Sequence, residues 1–220
     1  MGKIILFTNV KGGVGKTTLC SVFATFLSQS GRPVAVVDAD IQQSISGHRR
    51  MDLEERPDAA IPWPVQTLVG MSTEEVANAM VNLRHLSCDV LIDCPGNIID
   101  PNLKAIYTNA DIAVIPIHYD KDTLNASLDF IQMFKAKFNA RMFFVPNGIS
   151  GIDENREKVR LLRDKAKAIL EPYGILTARI KRTSVVADYD TLLPLTSYQR
   201  NAVKFSFEPI IKELQKGGVD

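Results

Sequence analysis

Cysteine is scarce in this chain: Cys20, Cys88 and Cys94 are the three present, widely spaced and with no Cys-x-x-Cys pair among them. An odd, scattered set supports neither a disulfide framework nor a zinc site, and leaves buried or half-buried thiols of a reducing compartment as the expectation. Histidine is equally sparse. His48, His85 and His118 show no metal-ligand spacing and receive no role. No run of about 18 apolar residues exists, which excludes a membrane-spanning helix on length. The opening segment, residues 1–8, has too short an apolar run for a secretory leader, and it leads into glycines and a lysine instead of a small-residue cleavage site. It is expected to be a first strand, and the protein to be cytoplasmic. Internal repeats and low-complexity linkers are lacking as well.

What is present is an ordinary globular composition, 45% hydrophobic and 23% charged. A chain of 220 residues suffices for one well-filled α/β domain and is short for two, so residues 1–220 are expected to form a single domain. The formal net charge is only +1, but it is unevenly spread. Residues 1–134 hold 10 Lys and Arg against 15 Asp and Glu, whereas residues 135–220 hold 16 against 10. Such an asymmetry marks either a nucleic-acid face or solvated helices that happened to collect basic side chains.

Short apolar, β-branched runs alternate with longer helical stretches. Strands are expected at residues 3–9, 33–38, 65–69, 89–93, 111–117, 141–146 and 176–180. Helices are expected at 16–30, stopping at Gly31, at 72–86 behind Ser72, at 123–138, at 153–170 as a charged amphipathic helix, and in a helical tail. Residues 49–64, rich in charge and proline, read as an irregular excursion. The implied fold class is α/β, a doubly wound, mostly parallel sheet flanked by helices on both faces through right-handed crossovers. In such sheets ligands sit beyond the carboxyl ends of the strands.

Three groups of chemistry-bearing residues follow strands. The first strand runs into Lys11-Gly12-Gly13-Val14-Gly15-Lys16-Thr17-Thr18, where a helix begins. Glycines let the backbone fold so tightly that successive N–H groups point at phosphate oxygens, and the helix start adds a dipole favourable to an anion. Lys16 can reach β- and γ-phosphates and the Thr17 hydroxyl can ligate Mg²⁺. A strict Gly-x-x-x-x-Gly-Lys-Thr pattern needs glycine at position 10, where this chain has Val10. The second strand ends in Asp38-Ala39-Asp40-Ile41-Gln42, two carboxylates that face a cation, a reacting water or merely solvent. The strand Asp89-Val90-Leu91-Ile92-Asp93 ends in an aspartate suited to contact Mg²⁺ through water, followed by Cys94-Pro95-Gly96.

The string from Lys11 to Thr18, so close to the start of the chain, resembles the deviant Walker ATPases of the ParA/MinD superfamily of P-loop NTPases. The resemblance implies ATP and Mg²⁺ as cofactors, with residues 11–18 as the cradle. It implies that Lys11 reaches the partner's phosphates across an ATP-bound homodimer, that Asp40 positions or activates the attacking water, and that Asp38 helps hold the Mg²⁺ shell. Pro95-Gly96 resembles a turn whose N–H senses the γ-phosphate. Asn147, in Val145-Pro146-Asn147, would hydrogen-bond the adenine ring, the alternative being a turn-forming asparagine before Gly148. Ile41 stands where the family has proline, and Gly96 where many relatives have a second proline.

In length the chain looks most like compact plasmid-partition ATPases, with no room for an N-terminal helix-turn-helix before the loop. The expected function is therefore an ATP-dependent dimerising switch with slow turnover of its own. It would bind DNA non-specifically in the ATP state and answer to a small ParB-type activator. The basic side chains of 153–170 and of Arg179-Ile180-Lys181-Arg182 are the candidate DNA face. Two alternatives stand beside it. A MinD-like membrane-surface ATPase would need a basic amphipathic final helix, which Pro209, Glu208 and Glu213 argue against, so a membrane partner is not expected. A metabolic enzyme of the same fold would need a substrate pocket or well-placed cluster cysteines, and neither is recognisable.

Overall fold

The computed structural model describes residues 2–97, 99–150 and 156–216. Seven strands form one all-parallel sheet: β1 (Ile4–Phe7), β2 (Val34–Asp38), β3 (Val65–Thr67), β4 (Asp89–Asp93), β5 (Ile112–Ile117), β6 (Arg141–Pro146) and β7 (Gly174–Leu176). Their order is β3-β2-β4-β1-β5-β6-β7. The helices are α1 (Lys16–Gln29), α2 (Ser44–Glu55), α3 (Thr73–Arg84), α4 (Leu103–Thr108), α5 (Lys121–Lys137), α6 (Glu157–Leu170), α7 (Ser184–Ala187) and α8 (Ser197–Gln215). The chain works outward from β1 to one edge and then to the other, so the turn after β1 lies at the point where the winding reverses.

Alternating side chains divide the core into two layers. Ile5, Phe7, Val36, Leu91 and Val114 pack with α1 and α8 on one face. There the Phe207 ring meets Phe23 at 4.7 Å and Phe26 at 5.7 Å between centroids. Leu6, Val37, Ile92 and Ile115 pack on the other face with Val76 and Met80 of α3, Tyr107 of α4 and Phe134 of α5. Helix starts are fixed by side chains: Ser72 and Glu75 form a capping box at α3, Thr196 and Gln199 another at α8, and the Asp120 carboxylate accepts from Thr123 N at α5.

Four expectations need correction. Residues 49–64 are not wholly irregular, because α2 covers Ser44–Glu55. It buries only Ile45 and Arg49, so it has no apolar stripe to read. The last strand is Gly174–Leu176 rather than 176–180. Gly174 looks like a turn, yet a Cβ there would stand 2.4 Å from the Met142 carbonyl oxygen, so glycine is what lets β7 approach β6. Residues 177–181 still follow β6, through Thr177 N to Phe144 O and Ile180 N to Pro146 O, without forming a regular strand. Pro209 does not interrupt the final helix: α8 passes through it, held on both sides by buried Val203, Phe207, Ile210 and Leu214. The short helix α4 was not expected at all. Of the helix expected over 153–170, residues 153–155 lie outside the described residues and α6 begins at Glu157.

Candidate functional site

The loop after β1 is anchored before its first glycine. Asn9 is buried and donates through Nδ2 to the Pro116 carbonyl (2.8 Å) and to Ser127 Oγ (2.9 Å), while its Oδ1 accepts from Lys11 N (3.2 Å). The chain then turns through Gly13 and Gly15, at φ +74° and +94°, a region that side chains with a Cβ enter at a cost of about 1–2 kcal/mol. Gly15 is the N-cap of α1, with no side-chain cap, which leaves the first-turn N–H groups facing the loop's cavity. The Lys16 ammonium folds back to the Lys11 carbonyl at 3.4 Å. A Cβ built on Gly96 would stand 3.5 Å from Lys16 Nζ, so the turn after β4 lies against the same ammonium.

Strand register brings the two distant aspartates together. Asp38 of β2 pairs with Asp93 of β4, and Asp93 pairs with Phe7 of β1, all at the carboxyl ends and on the α1 face. The Thr17 hydroxyl on α1 donates to Asp93 Oδ2 at 2.7 Å. Asp38 Oδ2 accepts from both the backbone N–H (3.0 Å) and the hydroxyl (3.1 Å) of Ser46 on α2. The other oxygen of each carboxylate, Asp38 Oδ1 and Asp93 Oδ1, is buried with no hydrogen-bond partner among the described residues. Burial pushes the Asp93 carboxyl up to about 7, opposed by the Thr17 hydroxyl bond and reinforced by nearby Asp38.

Two orphaned carboxylate oxygens beside a hydroxyl are costly unless a cation meets them. The set fits Mg²⁺, which takes one or two carboxylates and completes its shell with water and substrate phosphates. In keeping with that mode, no three His, Cys, Asp or Glu side chains converge as a metal cage among the described residues. Asp40 lies outside β2, half-buried, and its Oδ1 accepts from Gln42 N at 3.0 Å.

A cavity of about 400 Å³ continues from the loop. Gly13, Gly15 and Thr18 floor it, and His118, Asn147 and Gly148 from the ends of β5 and β6 line a second side. The third side is residues 181–183 with Val186 and Ala187. Asn147 donates through Nδ2 to the Val14 carbonyl at 2.9 Å, and a Cβ on Gly15 would stand 2.3 Å from that nitrogen. This contact orients the amide so that Nδ2 grips the loop.

Residues 11–18, Asp38, Asp40, Asp93 and Asn147 thus meet at one end of the sheet. Sequence reasoning missed Asn9, Ser46, His118 and the wall at 183–187. Lys181 and Arg182, grouped by sequence with a DNA face, are exposed and also line the cavity. Cys94 and Cys20 are fully buried, and burial raises both thiols well above their ordinary range, so neither offers a thiolate.

These features agree with known proteins. Over residues 5–196 the chain matches the CobQ/CobB/MinD/ParA nucleotide binding domain. An uncharacterized protein of Pseudomonas putida KT2440 is 24% identical over 257 aligned positions, 99% of this chain and 90% of that protein. A Borrelia burgdorferi protein ascribed to plasmid partition, solved with AMPPNP, superposes with TM-score 0.73 at 20% identity, over 96% of this chain and 99% of its own. The septum site-determining protein MinD of Pyrococcus horikoshii, solved with Mg-ADP, gives TM-score 0.69 at 19% identity, over 100% of both chains. No helix among the described residues is long and apolar enough to cross a membrane. With a glycine loop on β1, paired aspartates on β2 and β4 and a family match across most of its length, the chain belongs to the ParA/MinD superfamily of P-loop ATPases.

Proposed function

We propose that this protein is a single-domain, cytoplasmic, ATP-operated switch that closes into a homodimer on ATP and partitions a DNA cargo. The observation that carries the reading is Lys11. Its side chain makes no hydrogen bond or ion pair to any described residue, while the Lys16 ammonium donates to the Lys11 carbonyl. A second, uncommitted cation at the start of the loop is suited to the phosphates of a facing subunit. Ile41 and Ile99, 81% and 84% exposed, flank the aspartate-bearing segments and offer apolar surface for that subunit.

In this reading Lys16 and the N–H groups of residues 12–18 hold the β- and γ-phosphates. Thr17, Asp38 and Asp93 are the residues that would hold Mg²⁺, which when bound neutralises charge on the phosphate oxygens. Asp40, outside the strand and half-exposed, orients the attacking water, and Asn147 meets the adenine edge. Hydrolysis by one chain alone is slow because the partner's Lys11 and a small ParB-type activator complete the site.

DNA binding is supported by α6. Lys158 and Lys165 are exposed on one flank and Arg160 and Lys167 on the other, with exposed Glu157 and Asp164 between them and only Ala166 and Leu170 buried, so the helix carries its basic charge on two flanks of a narrow apolar seam. A membrane-surface role fits less well, since α8 spends its apolar residues Val203, Phe207, Ile210 and Leu214 on the core.

The test is fluorescence anisotropy with a duplex of arbitrary sequence, run beside analytical ultracentrifugation. With a non-hydrolysable ATP analogue the protein should dimerise and bind the duplex, the affinity falling steeply with salt, whereas ADP should support neither. Lys11→Ala should remain monomeric. Equal binding with ADP and ATP, or none at low salt, would refute the DNA reading; an intact ATP-dependent dimer of Lys11→Ala would refute the role of Lys11.

A further inference from the structure

The surface excursion after β2 has a polar anatomy that the phosphate site does not explain. At its start, Ser46 grips Asp38 through two donors. One and two turns further along the same helix, α2 grips a single remote residue, Thr191. Asp52 Oδ2 accepts from Thr191 N at 2.8 Å and from Thr191 Oγ1 at 2.6 Å. Arg49 donates through Nε to Thr191 Oγ1 (2.9 Å) and through Nη2 to the Thr191 carbonyl (3.0 Å). Every polar atom of this fully buried threonine is therefore bonded by α2. Arg49 itself is only 7% exposed, lies 4.1 Å above the Trp63 ring and donates to the Trp63 carbonyl. His48 Nδ1 meets the Tyr189 hydroxyl at 2.8 Å, and Arg56 Nη1 meets Asp190 Oδ2 at 2.8 Å.

Thr191 lies four residues beyond Ala187, the last residue of the cavity's third wall. That wall is pinned from the other side by α8, where Gln199 Nε2 donates to the Val185 and Asp188 carbonyls. A buried charged network of this kind costs several kcal/mol to desolvate and is a poor way merely to stabilise a fold. It is a good way to fix one geometry.

We infer that α2 is a positioning element for nucleotide binding. Through Asp52 and Arg49 it sets the wall at residues 183–187 against the base end of the cavity, and through Ser46 it sets Asp38 at the phosphate end. Asp52 touches no nucleotide and acts through Thr191. The inference rests on the assignment of the cavity to the base of a nucleotide. It adds that the two ends are held in register by one helix, so loosening the helix at Thr191 loses affinity for the base and spares the phosphates.

The experiment is titration calorimetry on the full chain with Mg·ADP and, as a base-free probe, Mg·pyrophosphate. Asp52→Asn and Thr191→Val should each weaken Mg·ADP by about five- to tenfold and leave Mg·pyrophosphate within about twofold. Thr191→Ser keeps all the bonded atoms and should bind both probes as the wild type does, which separates positioning from a general loss of packing. Ser46→Ala should weaken both probes together. The single tryptophan gives a second readout: Trp63 emission should respond to Mg·ADP in the wild type and not in Asp52→Asn. Equal loss of both probes in a cooperatively folded Asp52→Asn or Thr191→Val, or no loss of either, overturns the inference. A wild type that binds no Mg·ADP overturns the cavity assignment itself.

Discussion

The two ends of the proposed nucleotide site are built in different ways. The phosphate end is made of loops that directly follow β1, β2 and β4, three neighbouring strands, so strand pairing brings its residues together before Thr17 and Ser46 orient the two aspartates. The proposed base end is assembled from His118 and Asn147, which follow β5 and β6, from Lys181 and Arg182, which pair by backbone with Ile149, and from residues 183–187, which α8 holds at Val185 and α2 steadies only further on, at Thr191. The first is as rigid as the sheet. In the second, the far wall at residues 183–187 depends on the polar network behind it.

Single substitutions can break or sharpen this contrast, with calorimetry on Mg·ADP and Mg·pyrophosphate as the common measure. The largest effect is expected at the phosphate end. Lys16→Ala removes the half-buried cation of the phosphate loop, a loss of about 2–5 kcal/mol, and should weaken both probes by roughly thirtyfold or more. Gly15→Ala strikes the junction of the two ends. It combines about 1–2 kcal/mol of left-handed strain with a clash against the Asn147 amide, and both probes should weaken by roughly tenfold. Asn147→Ala acts at the base end and strands the Val14 carbonyl. Mg·ADP should weaken by about 1–2 kcal/mol and Mg·pyrophosphate by clearly less, since the loop loses one of its holds but keeps its phosphate-facing groups. Equal loss of the two probes in Asn147→Ala would erase the distinction between the ends.

Legibility along the chain followed the same division. The loop at 11–18, Asp38 and Asp93 could be read directly, because each sits where an apolar run stops and a glycine or a carboxylate begins, and β6 was read to the residue. The helix α2 was not, since its anchor is an arginine stacked on Trp63 and bonded to Thr191, a long-range arrangement with no periodic signature. Lys181 and Arg182 looked like part of a basic patch because their neighbours in sequence are basic. Their true surroundings are set by the way residues 177–181 run along β6 and cross to the cavity.

The amino-acid order by itself determined the strand-and-helix alternation, the phosphate loop and the aspartates that end two strands. Those depend on local backbone freedom and on the burial of short apolar runs. Tertiary structure alone decided that Asp38 and Asp93 stand side by side and that a charged helix grips Thr191, just beyond the far wall of the cavity. Each of those is a contact between segments tens of residues apart, and its free energy exists only once the sheet has brought them together.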